Sequence, residues 1–256
     1  MKFKATLFLT LALVAVYAAF SNGTPYLQTS FLARYALGDS FAGGFTHVFL
    51  HVGVLHLIGN LIPLIAFSLL LENILVGSDV IAIFVASGVF GGVLFSLLNP
   101  GAMLVGASAA ISGVMAAAAA LKPKQALVLL VGIPLAVAFL AVPLIDFSER
   151  AFERGLFERQ AALENDVQVL VAQNKTVEAS AANASLQAVS AQATQTVAGR
   201  EREASTPTDF AVHAFGALAG VAFLWFFRRG KLRAGLKEYA SLGEQLFSFL
   251  EKVKRH

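Results

Sequence analysis

The sequence predicts an all-α membrane protein with six transmembrane helices and an extra-membrane helical insertion between the fifth and the sixth. Hydrophobic residues make up 57% of the 256 residues and charged residues only 14%, and the mean hydropathy is +0.71. A soluble domain carries roughly a quarter charged residues, so the excess apolar surface is expected to face lipid. The apolar residues also fall into runs of about 20 residues, the length that a helix needs to cross the hydrocarbon.

The first five predicted helices lie within residues 1–145. Residues 5–20 are predicted to be a retained membrane helix, with a cleaved secretory signal as the alternative. Either interpretation places Ser21 outside the cytoplasm. A loop with several glycines follows, and four more helices are predicted at about residues 45–71, 80–98, 104–121 and 126–145. The sixth helix is predicted within residues 208–228, and residues 229–256 form an amphipathic cytoplasmic tail.

Residues 146–207 differ from the rest of the chain because they are polar, with nine acidic and six basic side chains. Apolar residues recur at helical intervals in the first half, which predicts an amphipathic helix: Phe147, Phe152, Leu156, Leu163, Val167 and Leu170. The second half is rich in Ala, Ser, Thr and Gln and has a weaker pattern. We expect a helix or helical hairpin outside the bilayer, with disorder as the alternative for the second half.

The basic residues predict the orientation in the membrane. Three basic groups share one side in a six-helix topology: residues 2–4, 122–124 and 228–233. The positive-inside rule places that side in the cytoplasm, so both termini are expected there, and the simplest location is the plasma membrane. The turn between the second and third helices is also cytoplasmic, although it carries Glu72 and Asp79 without a cation.

Two polar residues in apolar helices predict a catalytic pair. Ser108 and His213 each lie about one helical turn below the outer end of a predicted helix, so they lie at matching depth. A neutral imidazole is the usual base for a serine nucleophile, and the two residues therefore predict a Ser-His dyad. The alternative for a lone serine in an apolar helix is a hydrogen bond to its own backbone.

The second predicted helix carries further polar residues. His56 and Asn60 are four positions apart and so share one helical face. Donors on that face, together with the backbone N–H of Ser108, can hold the negative oxygen of a tetrahedral intermediate. His47 and His51 lie nearer the surface, where structural hydrogen bonding or solvation is expected.

Small residues occur on both helices of the predicted dyad. They are Gly106, Ala109 and Gly113 on the fourth helix and Gly216 and Gly220 on the sixth. Such faces let two helix backbones approach closely in a membrane. Close approach is what a serine and a histidine on separate helices require.

Three motifs in this order resemble those of the rhomboid intramembrane serine proteases. The second helix of that family carries H-x-x-x-x-H-x-x-x-N, which matches His51, His56 and Asn60. The fourth helix carries G-x-S, which matches residues 106–108. The sixth carries a histidine followed by spaced glycines, which matches His213, Gly216 and Gly220. Each motif alone is weak, but the ordered set is specific.

The resemblance implies that Ser108 attacks a peptide bond while His213 acts as base and then as acid. It implies no third acidic residue, no cofactor and no metal. By the same resemblance, His56 and Asn60 stabilise the oxyanion, and His51 ties the second helix to the first loop. The implied partners are membrane lipid and single-pass transmembrane proteins whose helix unwinds near the outer face.

Two departures from the family pattern affect this interpretation. The residue after the serine is usually glycine and is Ala109 here, where one methyl group could narrow the cleft. The insertion at 146–207 precedes the sixth helix, and we hypothesise that it restricts or recruits substrates.

An inactive rhomboid-like protein that binds membrane clients is the alternative function. A transporter would predict inverted repeats, which the sequence lacks.

The composition argues against disulfides, metal sites and nucleic-acid binding. Cysteine is absent, which rules out disulfides and thiolate metal sites. No acidic residue joins the histidines in the predicted membrane helices, so a metal site is not expected. No basic aromatic patch suggests binding to nucleic acid.

Overall fold

A computed structural model describes residues 3–21, 30–31, 34–37, 43–100, 102–137, 139, 142–204 and 210–254. Most of these residues are helical, and none of them belongs to a strand. Leu37 and Leu104 form an isolated antiparallel bridge. The predicted all-α class is confirmed.

Ten α-helices of the described residues are used below, numbered in chain order. They are α1 (Lys4–Ser21), α2 (Gly43–Thr46), α3 (Val54–Glu72), α4 (Gly77–Leu98), α5 (Ser108–Leu121), α6 (Pro123–Ala136), α7 (Val142–Ala172), α8 (Thr176–Ala204), α9 (Phe210–Phe227) and α10 (Arg229–Lys254). A 3-10 helix, His47–Phe49, follows α2.

Among the described residues, α3, α4 and α9 are long and apolar enough to cross a membrane. Three other apolar helices are shorter: Lys4–Phe20, Ser108–Leu121 and Pro123–Ala136. The 14 residues of α5 rise only about 21 Å, whereas the hydrocarbon core is roughly 30 Å thick. The six-helix count therefore stays a prediction.

Several helix boundaries differ from the predicted ones. The second predicted span began near residue 45, but α3 begins at Val54 after two short helices and a turn. The fourth began at Leu104, but α5 begins at Ser108 because Gly106 has φ +114°, which no helix permits. The fifth is predicted to extend to residue 145; α6 ends at Ala136, residues 138, 140 and 141 lie outside the described residues, and residues 142–145 belong to α7.

The first compact unit comprises Met1–Ile133 and Thr208–His256. Helix α5 lies at its centre and packs against α3, α4 and α9, while α1 packs against α3 and α4. Small side chains on α5, such as the fully buried Ala110, Ala117 and Ala118, let the neighbouring helices approach. This packing brings the three helices that carry the predicted site residues into one bundle.

Acidic residues at one end of this unit have partners on distant helices. The Asp79 carboxylate, in the first turn of α4, accepts two hydrogen bonds of 2.7 Å from Arg228, which follows α9. Glu72, at the end of α3, accepts from the backbone N–H groups of Ala5 and Thr6 at 3.0 Å each. Arg228 thus supplies a cation to the turn between α3 and α4, which is flanked by acidic residues but has no basic residue of its own. One end of the bundle therefore contains the starts of α1 and α4 together with the ends of α3 and α9.

The second compact unit, Pro134–Pro207, contains the helical pair α7 and α8. Leu156, Ala179, Val189 and Ala193 are buried in it. Asn174 adopts a positive φ of 57° between the two helices, a conformation that asparagine tolerates better than most residues. The second half, for which the sequence leaves disorder open, is helical over Thr176–Ala204.

Candidate active site

Ser108 is the first residue of α5. The backbone N–H groups of the first helical turn have no partner within the helix, and they form the positive end of its dipole. The sequence predicted Ser108 one turn inside a helix, whereas the structure places it at the helix end. Its own N–H therefore belongs to the set of donors that can face a negative oxygen.

The turn before Ser108 is held by residues from much earlier in the chain. The backbone N–H of Gly106 donates to the carbonyl of His47 at 2.9 Å. Leu104 and Leu37 exchange two backbone hydrogen bonds of 2.9 Å each. The position of the serine thus depends on the region that precedes α3.

His56 lies directly against this turn. A Cβ built on Gly106 would lie 2.8 Å from both Cε1 and Nε2 of the His56 ring, and 3.9 Å from the amide nitrogen of Asn60. Only glycine fits a position with this neighbour and with φ +114°. The two predicted oxyanion donors therefore lie beside the residue that is two positions before Ser108.

His51 is fully buried and contacts both of these donors. Its Nε2 lies 3.0 Å from the amide nitrogen of Asn60, and its ring meets the His56 ring edge-on with centroids 5.0 Å apart. Because an amide nitrogen only donates, the ring Nε2 accepts this hydrogen bond. The described hydrogen bond of His51 thus runs to Asn60, and most of the first loop, its predicted partner, lies outside the described residues.

Helices α5 and α9 are in backbone contact and run parallel. A Cβ on Gly216 would lie 2.7 Å from the carbonyl carbon of Ala109, and a Cβ on Gly220 would lie 2.7 Å from the carbonyl carbon of Gly113. On both helices the second contact lies four residues after the first, so the two helices run in the same direction. The glycines singled out in the sequence thus form the contact between these helices.

This contact sets the relative height of the predicted dyad. Ser108 comes one residue before Ala109, and His213 comes three residues before Gly216. At 1.5 Å per residue the two positions differ by about 3 Å along nearly parallel axes. Both side chains are half-buried. The helix register therefore puts the two residues at a similar level on neighbouring helices.

The methyl group of Ala109 points into the bundle. Ala109 is 1% exposed and packs with Phe95 and Val212. A Cβ on Gly91 of α4 would lie 2.9 Å from this methyl group. The alanine therefore occupies packing space between α4, α5 and α9, and the predicted narrowing of the cleft is not what its position indicates.

Two features of the site do not follow from the sequence pattern: the burial of His47 and the close approach of the α4 glycines. His47, for which structural hydrogen bonding or solvation near the surface is expected, is fully buried and hydrogen-bonded: its Nδ1 lies 2.8 Å from the Gly43 carbonyl, and its own carbonyl accepts from the backbone N–H of Gly106. The glycines of α4 make room for this ring, since a Cβ on Gly92 would lie 2.7 Å from it. The closely spaced glycines at positions 88, 91 and 92 were the available signal.

A comparison with models of protein families supports the resemblance to rhomboid proteins. The family model of the Rhomboid domain matches residues 39–158, which include Ser108, His56 and Asn60 and end before His213. A search of curated proteins gave no match to this chain. With its apolar helices and this match, the chain is an integral membrane protein that is similar to the rhomboid family over residues 39–158.

Proposed function

We propose that this protein is an intramembrane serine protease in which Ser108 is the nucleophile and His213 the general base. The observation that carries the proposal is the parallel glycine contact between α5 and α9, since it sets the two residues at similar height on adjacent helices. The family match adds to it, because rhomboid proteins are generally serine proteases of this kind.

In the proposed reaction, the Ser108 hydroxyl attacks the carbonyl carbon of a peptide bond while His213 takes the hydroxyl proton. His213 then gives this proton to the leaving amine, and a water molecule hydrolyses the acyl-enzyme with the same base. No acidic residue occurs in α9, so the histidine acts without a carboxylate on its own helix.

The negative oxygen of the tetrahedral intermediate is proposed to lie near the start of α5. The backbone N–H of Ser108 and the side chains of His56 and Asn60 supply donors there. One N–H of the Asn60 amide bonds to His51, and the second remains for the oxyanion. Removing a single donor of this type typically costs on the order of 100-fold to 1,000-fold in kcat.

The proposed substrates are single-pass transmembrane proteins that unwind near the outer face of the membrane. The proposed topology has both termini in the cytoplasm and the protein in the plasma membrane. The shared location of Lys4, Asp79 and Arg228 at one end of the bundle supports this orientation, because basic residues favour the cytoplasmic side.

The test is cleavage of a model transmembrane substrate in proteoliposomes by the wild type and by Ser108→Ala and His213→Ala. Both variants are expected to lose cleavage. Ser112→Ala is the matched control, because Ser112 lies one turn further along α5 and its hydroxyl donates to the Ser108 carbonyl at 2.8 Å. It is expected to keep cleavage and labelling of Ser108 by a fluorophosphonate.

The same experiment distinguishes the alternative function. If the wild type neither cuts a panel of substrates nor reacts with the fluorophosphonate at Ser108, the protease assignment is wrong. Substrate capture without cleavage would then favour a rhomboid-like protein that binds membrane clients.

A further inference from the structure

The segment that follows the last apolar helix is strongly basic. Five of the ten residues from 228 to 237 are Lys or Arg, and none is acidic. Arg233 and Lys237 are exposed and four residues apart, so they lie on one face of α10. The protease chemistry proposed above uses neither of them.

Other cations in this segment are bound by the protein itself. Arg228 pairs with Asp79, and the Lys231 ammonium donates to the carbonyl of Ile74. Arg233 and Lys237 extend the positive charge outward from these fixed points. Arg229, which donates to the Trp225 carbonyl, and Lys231 are themselves exposed. The segment therefore presents several cations to its surroundings, of which Arg233 and Lys237 lie furthest from α9.

Helix α10 is held across the end of the apolar bundle. Leu232 is buried in the main core, and a Cβ on Gly235 would lie 2.9 Å from Cα of Leu121, the last residue of α5. The Tyr239 hydroxyl donates to the carbonyl of Ala119 at 3.0 Å. The first three turns of α10 therefore lie at the depth where α5 ends.

Aromatic residues mark this depth as a membrane interface. Trp225, Phe226 and Phe227 close α9, and their side chains are more than half exposed. Tryptophan is enriched at the level of the lipid headgroups. The Arg229 guanidinium carbon lies 5.5 Å from the centre of the Trp225 ring, a cation-π distance. The start of α10 is therefore expected at headgroup level.

Exposed apolar residues adjoin the basic face. Leu236 and Phe247 are 51% and 68% exposed, although α10 already buries Leu232 against the bundle. An amphipathic helix with basic residues beside exposed apolar ones is typical of a helix that lies in the membrane interface.

We propose that Arg233 and Lys237 bind the phosphate groups of anionic phospholipids in the leaflet that surrounds the end of α9. Charge complementarity selects this occupant, because each basic residue near a membrane surface favours anionic lipid. The site is independent of the proposed proteolysis, and it requires only that α9 ends in a membrane.

Trp225 reports on this site directly, because it is the only tryptophan in the chain. The full-length protein is reconstituted in mixed phosphatidylcholine and phosphatidylglycerol, with one lipid or the other brominated to quench tryptophan fluorescence. We expect brominated phosphatidylglycerol to quench more strongly, with a relative affinity of at least roughly fivefold, which is the factor for one of the two basic residues at a membrane surface. Raising the salt concentration should reduce the preference.

Double variants then show which cations cause the preference for phosphatidylglycerol. Arg233→Gln with Lys237→Gln should bring the relative affinity close to one, whereas exchange of the two cations, Arg233→Lys with Lys237→Arg, should retain it. Lys252→Gln with Lys254→Gln removes the same charge further along the helix and should also retain it. Equal quenching by both lipids in the wild type would overturn the proposal. An unchanged preference in the Arg233→Gln, Lys237→Gln variant would also overturn it. So would loss of the preference in the exchange variant or in the Lys252→Gln, Lys254→Gln variant.

Discussion

Replacing Gly216 with alanine tests the contact that aligns the proposed dyad. The new Cβ would lie 2.7 Å from the carbonyl carbon and 3.0 Å from Cα of Ala109, whereas carbon atoms normally lie about 3.5 to 4.0 Å apart. Since the obstacle is backbone, α5 and α9 must separate by about 1 Å. Overpacking costs about 1 to 3 kcal/mol, and the better helix propensity of alanine recovers about 1 kcal/mol.

The expected loss of stability is therefore no more than roughly 2 kcal/mol, while activity is more sensitive. A displacement of about 1 Å between reacting groups can lower the rate on the order of 100-fold. Proteoliposome cleavage measures the rate, and thermal unfolding in detergent measures the stability. Gly132→Ala on α6 is the control, because its Cβ would meet no atom within 4 Å outside its own helix. If Gly216→Ala cuts and unfolds like the wild type, the inferred helix contact is wrong.

Three further substitutions have defined outcomes. Ala109→Gly should lower stability by about 1 kcal/mol without raising the cleavage rate, because its buried methyl group fills packing space; a faster enzyme would show that the methyl group does restrict the cleft. Gly106→Ala should abolish cleavage while the protein stays in the membrane, because a methyl group there meets His56 at a positive φ; retained activity would contradict this geometry. Arg228→Gln should lower the unfolding temperature more in the wild type than in an Asp79→Asn background, since only the former leaves a carboxylate without its cation; equal effects in a double-mutant cycle would show no coupling.

The predictable parts of the structure were those fixed by local geometry. His56 and Asn60 share a face because they are four residues apart within one helix. Gly216 and Gly220 mark a close helix contact because small side chains have few other uses at that spacing in an apolar helix. These features need only the period of the helix and the size of a side chain.

The parts that could not be predicted depend on contacts between distant residues. Ser108 begins its helix because Gly106 turns the chain and the His47 carbonyl fixes that turn, 59 positions away in the sequence. The burial of His47 and the pairing of Asp79 with Arg228 likewise require knowledge of which helices are neighbours. No local pattern contains that information.

The pairing of α5 with α9 also determines when the proposed catalytic pair can form during synthesis. Ser108 and His213 are 105 positions apart, with the whole of α7 and α8 made between them. At translation rates of about 5 to 20 residues per second, roughly 5 to 20 s pass between the two residues. During that interval α9 is not yet present to cover the glycine face of α5, whereas α3 and α4, which also pack against α5, are already made. In the proposed mechanism the newly made serine therefore has no base, and the proposed proteolysis cannot begin until α9 is in place.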